Sequence, residues 1–183
     1  MLRALRARGG PAGRRAIDLG CGTGRDTLPM LAAGWHVLAI DAEPAAIAGL
    51  EAAVPAAWRP RLVTRLACFE RAHLPPADLV NASFSLITVE RLPVLADLVR
   101  RIHAALTPGG RFAGQLLGSR DGWVAAGRPV VGLDPAGLLA LLRDFRLERV
   151  EEEEADTVTP RGRAKHWHLW HVVARKISSS SRS

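Results

Sequence analysis

The sequence predicts an α/β protein built on a doubly wound, mostly parallel seven-stranded sheet that ends in a C-terminal antiparallel β-hairpin. Three observations lead there. Short apolar runs of strand length alternate with stretches of helical spacing along residues 16–143. The first of these runs opens directly into a glycine cluster, Gly20-Cys21-Gly22-Thr23-Gly24. The last third abandons the alternation for two strand-like segments flanking a turn. Strands joined through helices imply βαβ units and a parallel sheet covered on both faces. Two strands joined by a short turn imply an antiparallel pair.

The elements follow in order. Ala16-Ile17-Asp18-Leu19 is apolar enough for a buried strand, and the glycines after it mark a tight loop entering a helix. Pro29 falls in that helix, where it is tolerated only within the first turn. Trp35–Asp41 is a second apolar strand stopped by an acid, followed by helical composition from Pro44 to about Ala53. Arg61–Phe69 gives a weaker third strand and Ala77–Ala82 a short fourth. Leu95, Leu98, Val99, Ile102 and Leu106 share one helical face. Thr107-Pro108-Gly109-Gly110 stops that helix, and Arg111–Leu117 is a fifth strand. A leucine-rich helix over Pro135–Arg143 precedes the hairpin strands, Phe145–Glu153 and His166–Ala174, with Thr159-Pro160-Arg161-Gly162 between them. The expected organisation is a short basic leader (1–15), one domain (16–176) and a disordered serine-rich tail (177–183).

A chain of 183 residues that is 48% hydrophobic excludes wholesale disorder and is long enough for one cored domain. No apolar run reaches membrane-spanning length, the first ten residues lack a secretory apolar stretch, and no membrane partner is expected. Two cysteines cannot build a disulfide framework, so a reducing cytoplasm is the expected location. The net charge of +7 suggests nucleic acid until its distribution is considered. Residues 1–15 hold five arginines and no acid, and residues 161–183 hold six basic residues and no acid. Between them 14 arginines face 18 acids, so the body is mildly acidic and nucleic acid is not the expected partner.

Asp18-x-Gly20-x-Gly22-x-Gly24 carries the chemistry. Glycines allow a tight turn and close backbone approach to a ligand, and the following helix start offers free N–H groups. A dinucleotide fold would want G-x-G-x-x-G; here the spacing is G-x-G-x-G. The second strand ends in Asp41, 21 residues after Gly20, where an acid can hold a ribose hydroxyl pair.

With these residues in place, the sequence resembles a class I S-adenosylmethionine-dependent methyltransferase, a Rossmann-like fold whose glycine loop reads Asp-Leu-Gly-Cys-Gly-x-Gly. The likeness runs in order over about residues 16–175. Asp41, with Ala42 beside it, falls at the family's ribose-binding acid, and Glu70, next to Phe69 and five residues before Pro75, falls where an acid meets the adenine amino group. Asp78-Leu79-Val80-Asn81 resembles the fourth-strand motif, and Leu106-Thr107-Pro108-Gly109-Gly110-Arg111 the approach to the fifth. Gly24-Arg25-Asp26 and Lys165–Lys176 resemble the tellurite-resistance-type small-molecule methyltransferases. The resemblance implies S-adenosylmethionine as cofactor, S-adenosylhomocysteine as product and a small-molecule methyl acceptor. Its implied cofactor site is Asp18, Gly20, Cys21, Gly22, Gly24, Arg25, Asp41, Ala42, Phe69, Glu70 and Asn81. Family members carry a longer N-terminal helical segment that helps close the substrate site, so an open wall is expected where only 15 residues precede the first strand.

Each candidate has a plainer reading. Asp18 can hold the loop through backbone N–H bonds without touching ligand, and Arg25 can be a solvated helix-start arginine. Asn81-Ala82-Ser83-Phe84 keeps the outer residues of the Asn-Pro-Pro-Tyr/Phe motif of nucleic-acid amino methyltransferases but neither proline, which points away from that chemistry. Ser83 and Phe84, just past the fourth strand, are instead candidates for the acceptor side. So are Arg120 and Trp123 in Gly118-Ser119-Arg120-Asp121-Gly122-Trp123, because loops after the carboxyl ends of strands line the ligand crevice. His166 and His168 share one face of their strand while His171 points to the other, so no metal is expected. No catalytic dyad is required, because methyl transfer is chiefly a positioning problem. The alternatives are a nucleic-acid (RNA or DNA) methyltransferase and, from another class, a non-catalytic S-adenosylmethionine-binding protein.

Overall fold

The computed structural model describes residues 13–158, 162 and 164–177. Most of the expected leader and serine tail, and most of the hairpin turn, lie outside the described residues. The sheet runs β3-β2-β1-β4-β5-β8-β7. Its strands are β1 (Arg15–Leu19), β2 (His36–Asp41), β3 (Leu62–Leu66), β4 (Ala77–Ala82), β5 (Leu106–Gly118), β7 (Phe145–Val158) and β8 (Ala164–Lys176). A two-residue eighth strand, β6 (Gly132–Leu133), pairs with the end of β5 off this path. Strands β1 to β5 pair in parallel, whereas β8 runs antiparallel to both β5 and β7. The expected architecture is therefore present, with β6 added.

Alternation along the parallel strands explains why both faces need cover. Ala16, Val37, Ala39, Leu79 and Ala113 point to one face and pack with Met30 and Leu31 of α1 (Thr27–Ala32) and Ile47 and Leu50 of α2 (Pro44–Ala53). Ile17, Leu19, Ile40, Val80 and Phe112 point to the other and meet Leu95, Leu98, Val99 and Ile102 of α3 (Leu92–Ala105). The helical face read from the spacing is thus the buried one. Pro29 is the third residue of α1, inside the first turn, where its missing N–H costs no intrahelical bond.

Several boundaries differ: β3 stops at Leu66 rather than Phe69, β7 runs on to Val158 rather than Glu153, β8 spans Ala164–Lys176 rather than His166–Ala174, and Leu106 belongs to β5 rather than to the α3 face. At the start of β5 the cause is visible. Pairing of β5 with β4 begins at Leu106, opposite Ala77, and resumes at Arg111, opposite Leu79. Residues 107–110 therefore bulge against the single residue Asp78, whose carboxylate accepts from Thr107 Oγ1 at 3.0 Å. The Thr-Pro-Gly-Gly stop signal is real, but it interrupts a strand already begun. The short α4 (Gly122–Ala125) and α5 (Pro135–Leu141) complete the fold, and among the described residues no helix is long and apolar enough to cross a membrane.

Candidate active site

The strand order reverses at β1, which lies between β2 and β4. In open α/β sheets the ligand crevice lies outside the carboxyl ends of the strands at such a switch. The glycine loop leaves β1 at this point. Gly20 and Cys21 both donate to the Ile40 carbonyl, at 2.8 and 3.1 Å. Gly22 donates to Asp41 Oδ2 at 2.8 Å, and the Glu43 amide donates to Asp41 Oδ1 at 2.9 Å. The loop and the acid at the end of β2 form one hydrogen-bonded unit. Each Asp41 oxygen keeps a lone pair for a further donor, and the side chain is only half-buried.

Two glycines here are required by geometry. Gly20 has φ +67°, and a Cβ on it would lie 2.5 Å from Ser85 Cβ. Gly22 has φ +53° and nothing within 4 Å of its Cβ position, so the loop there borders open space. Beneath Gly20, Ser85 is buried and its Oγ has no hydrogen-bond partner among the described residues.

Asp18 does something other than face the crevice. It is 2% exposed, and its oxygens accept from Thr27 Oγ1 at 2.6 Å and Asn81 Nδ2 at 2.8 Å. The bonds are to side chains, not to the loop backbone. Burial pushes its carboxyl up to about 6 against the lowering effect of those bonds. Asn81, opposite Asp18 in the β1–β4 register, is equally buried; its Oδ1 lies 3.4 Å from Ser83 Oγ. Burial, assisted by the Asp18 and Asp41 charges, raises the Cys21 thiol to about 12, which removes it as a nucleophile near neutral pH.

The remaining predicted residues fall in two groups. Gly24 begins the approach to α1, Arg25 pairs with Asp26 and lies 5.4 Å over the Phe84 ring, and Ala42 is exposed beside Asp41. Phe69 and Glu70 are half-buried in the segment after β3; the Glu70 carbonyl accepts from Arg101, and its carboxylate has only a weak 3.8 Å contact from the Cys68 thiol. Arg120 and Trp123 belong to a different assembly. Arg120 clasps Glu152 and Glu154 of β7, and Trp123 is covered by Lys165 and Arg128 at 4.4 and 4.5 Å. Among the described residues, no cluster of three or more His, Cys, Asp or Glu is placed to hold a metal ion.

Sequence reasoning missed Thr27, Ser85 and the partners of the 118–123 loop. The spacing signal could not reveal them, because each contact joins separate elements: Thr27 of α1 reaches back nine positions to Asp18 of β1, and the others span far longer stretches of chain. Asp121 accepts from the Trp123 and His168 amides and pairs with Lys165, whose ammonium lies between the Trp123 and Trp167 rings.

Comparisons with known proteins agree with this fold. The methyltransferase-domain family matches residues 17–112, and the chain belongs to that family. Its fold is that of class I S-adenosylmethionine-dependent methyltransferases. A ubiquinone biosynthesis O-methyltransferase of Marinobacter nauticus is 34% identical over 106 residues, covering 55% of this chain and 43% of that protein. The chain thus aligns with less than half the length of this curated relative. An S-adenosylmethionine-dependent methyltransferase of Mesorhizobium loti superposes with TM-score 0.73 at 25% identity, covering 96% of this chain and 95% of the other. TehB of Haemophilus influenzae, at 16% identity and TM-score 0.70 over 89% of this chain and 57% of its own, shares the fold. The cofactor of the family is S-adenosylmethionine, and the residues at the switch point fit it: open space at Gly22, acceptor capacity on Asp41 and an orphaned Ser85 hydroxyl.

Proposed function

We propose that this chain transfers a methyl group from S-adenosylmethionine to a small-molecule acceptor and releases S-adenosylhomocysteine. The observation that carries the reading is the 2.8 Å bond from the Gly22 amide to Asp41. It joins Asp41, the acid expected to hold the ribose, to a glycine loop at the topological switch of the sheet.

The bound cofactor supplies an electrophilic methyl carbon on a sulfonium, so the protein's task is to bind, orient and exclude water. Asp41 would accept from the ribose hydroxyls with Ala42 beside it. Gly20, Cys21 and Gly22 would line the amino-acid portion with backbone, and Gly24 and Arg25 would close the loop end. Phe69 and Glu70 would meet the adenine, the Glu70 carboxylate taking the exocyclic amino protons. Asp18 and Asn81 would act one layer back: Asp18 is tied to Thr27 and Asn81, and this triad fixes where β1 hands over to the loop. Ser83 and Phe84 would border the acceptor, whereas Arg120 and Trp123 hold the loop after β5 to the hairpin.

Two facts support a small acceptor. The curated relative is named for methylating in ubiquinone biosynthesis, and the charge between residues 16 and 160 is net acidic, opposite to a phosphate-backbone footprint. Titration calorimetry with S-adenosylhomocysteine is the direct test. Asp41→Ala should weaken binding about 100-fold, as expected for two lost hydrogen bonds to a carboxylate. Unchanged affinity would overturn the assignment. Transfer of labelled methyl to RNA but to no member of a panel of phenols, carboxylates and amines would overturn the small-molecule reading.

A further inference from the structure

Phe84 is the one non-glycine residue with a positive φ among the described residues, at +55°. A bulky side chain avoids this left-handed region, so something must hold it there. The holder is visible. The Phe84 amide donates to Gln115 Oε1 at 2.9 Å. Gln115 lies on β5 one residue beyond Gly114, the register partner of Ala82, and is 3% exposed.

The direction of this bond fixes the rest. An N–H can only donate, so the Gln115 oxygen faces Phe84 and its amide nitrogen lies 3.3 Å from His171 Nδ1 on β8. That nitrogen carries hydrogens, so His171 Nδ1 must accept and be unprotonated. The ring hydrogen is then on Nε2, which donates to Glu153 Oε2 on β7 at 2.6 Å. Glu151, directly across from His171, is held by Arg149 at 2.5 Å. The chain Phe84 → Gln115 → His171 → Glu153 has one consistent donor direction across three neighbouring strands.

We propose that Gln115 is a positioning residue: it holds the turn Ser83-Phe84-Ser85 against the glycine loop, and His171 with Glu153 sets the orientation of its amide. The consequence reaches the site through that turn. Ser85 fills the space under Gly20, and the Phe84 ring lies under Arg25. A change at Gln115 alters the cradle without touching the ligand. The link to cofactor binding rests on the function proposed above; the hydrogen-bond chain does not.

The test uses the intact chain with Gln115→Leu and Gln115→Glu. In the ligand-free protein, amide hydrogen exchange at Phe84 and the nitrogen shifts of the His171 ring are read by NMR. Gln115→Leu should speed Phe84 exchange at least about tenfold, because the acceptor is gone, and free the His171 tautomer. Gln115→Glu keeps an acceptor toward Phe84 and should retain slow exchange. Its second oxygen donates to His171 Nδ1 only if the carboxyl is protonated; an ionised carboxylate instead requires the ring hydrogen on Nδ1, seen as a shifted ring-nitrogen signature. S-adenosylhomocysteine affinity should fall about tenfold in Gln115→Leu and recover largely in Gln115→Glu. Phe84 exchange unchanged in Gln115→Leu, or a His171 ring indifferent to both variants, overturns the positioning role. If the NMR results hold while the wild type binds no S-adenosylhomocysteine, the cofactor reading fails and the chain of bonds stands.

Discussion

The glycine loop and the hairpin clasp are built from opposite materials. At the loop, backbone amides and carbonyls do the holding, through Ile40, Gly22 and Asp41, and a hydroxyl and open space remain at its side. At the clasp, side chains satisfy one another almost completely. Lys165, its ammonium between two tryptophans, is buried with Asp121, and Arg120, His166 and His168 are matched to Glu152, Glu154 and Asp156. With the glycine loop as the cofactor site proposed above, charge density is a poor guide to where this molecule works. A site that must receive a ligand keeps donors, acceptors and volume in reserve, whereas a clasp closes on itself.

If that contrast is right, damage to the clasp should register as lost stability and damage to the loop as lost binding. The largest expected effect is at Asp121. Asp121→Ala leaves the Lys165 ammonium buried without its carboxylate and removes the cap of α4, so stability should fall by about 3–5 kcal/mol. Thermal unfolding would show this as a drop on the order of 10 °C. S-adenosylhomocysteine affinity of the folded fraction should stay near wild type. A variant that unfolds normally but no longer binds would collapse the distinction between the two regions.

What the sequence made legible follows the same division. The glycine loop could be read because its positive φ values at Gly20 and Gly22 demand glycine locally, and Asp41 because a strand end fixes its place. The α3 face could be read because burial repeats with the helical period. The clasp could not, because Asp121 meets Lys165 across 44 positions and Gln115 meets His171 across 56. β6 is two residues long, too short for any periodicity. One compositional signal was available. In a chain with 23 arginines, the two lysines are the exceptions, and both occupy places suited to a compact ammonium. Lys165 is enclosed with Asp121, and Lys176 donates to the Ala104 and Leu106 carbonyls.

Asp18 sits at the border between the two modes, a buried charge beneath an open loop, and its titration is a distinctive prediction. Its carboxyl is raised from 3.8 to about 6, mainly by burial. Below pH 4 both folded and unfolded forms are protonated. Between pH 4 and 6 the unfolded chain ionises first, so stability falls with rising pH, by about 3 kcal/mol across the window, and is level above it. Denaturant unfolding of wild type and Asp18→Asn from pH 4 to 7 measures the difference in slope, which should confine itself to that window. Equal slopes would mean that Asp18 is better solvated than its packing implies.

The smallest effect belongs to the outer ring of the clasp, and it tests whether that ring shares the character of the buried pair. Glu154 is held down to about 2 by hydrogen bonds from Arg120 and His166, while His166 is raised by Asp156 and Glu154. The signs differ. The Glu154 contribution is present above the ordinary carboxylate range and disappears as pH falls from about 4.5 toward 2. The His166 contribution is present when the ring is charged and disappears as pH rises through its elevated value. All these groups are exposed to solvent, where salt screens their interaction. Glu154→Gln should therefore lower Tm by no more than about 3 °C at low salt and near neutral pH, and by less still in about 1 M salt. The Asp121→Ala deficit, arising from a buried pair, should persist at both salt concentrations. A Glu154→Gln effect as large and as salt-resistant as that of Asp121→Ala would show that the clasp holds as one cooperative network rather than as a buried pair with a solvated rim.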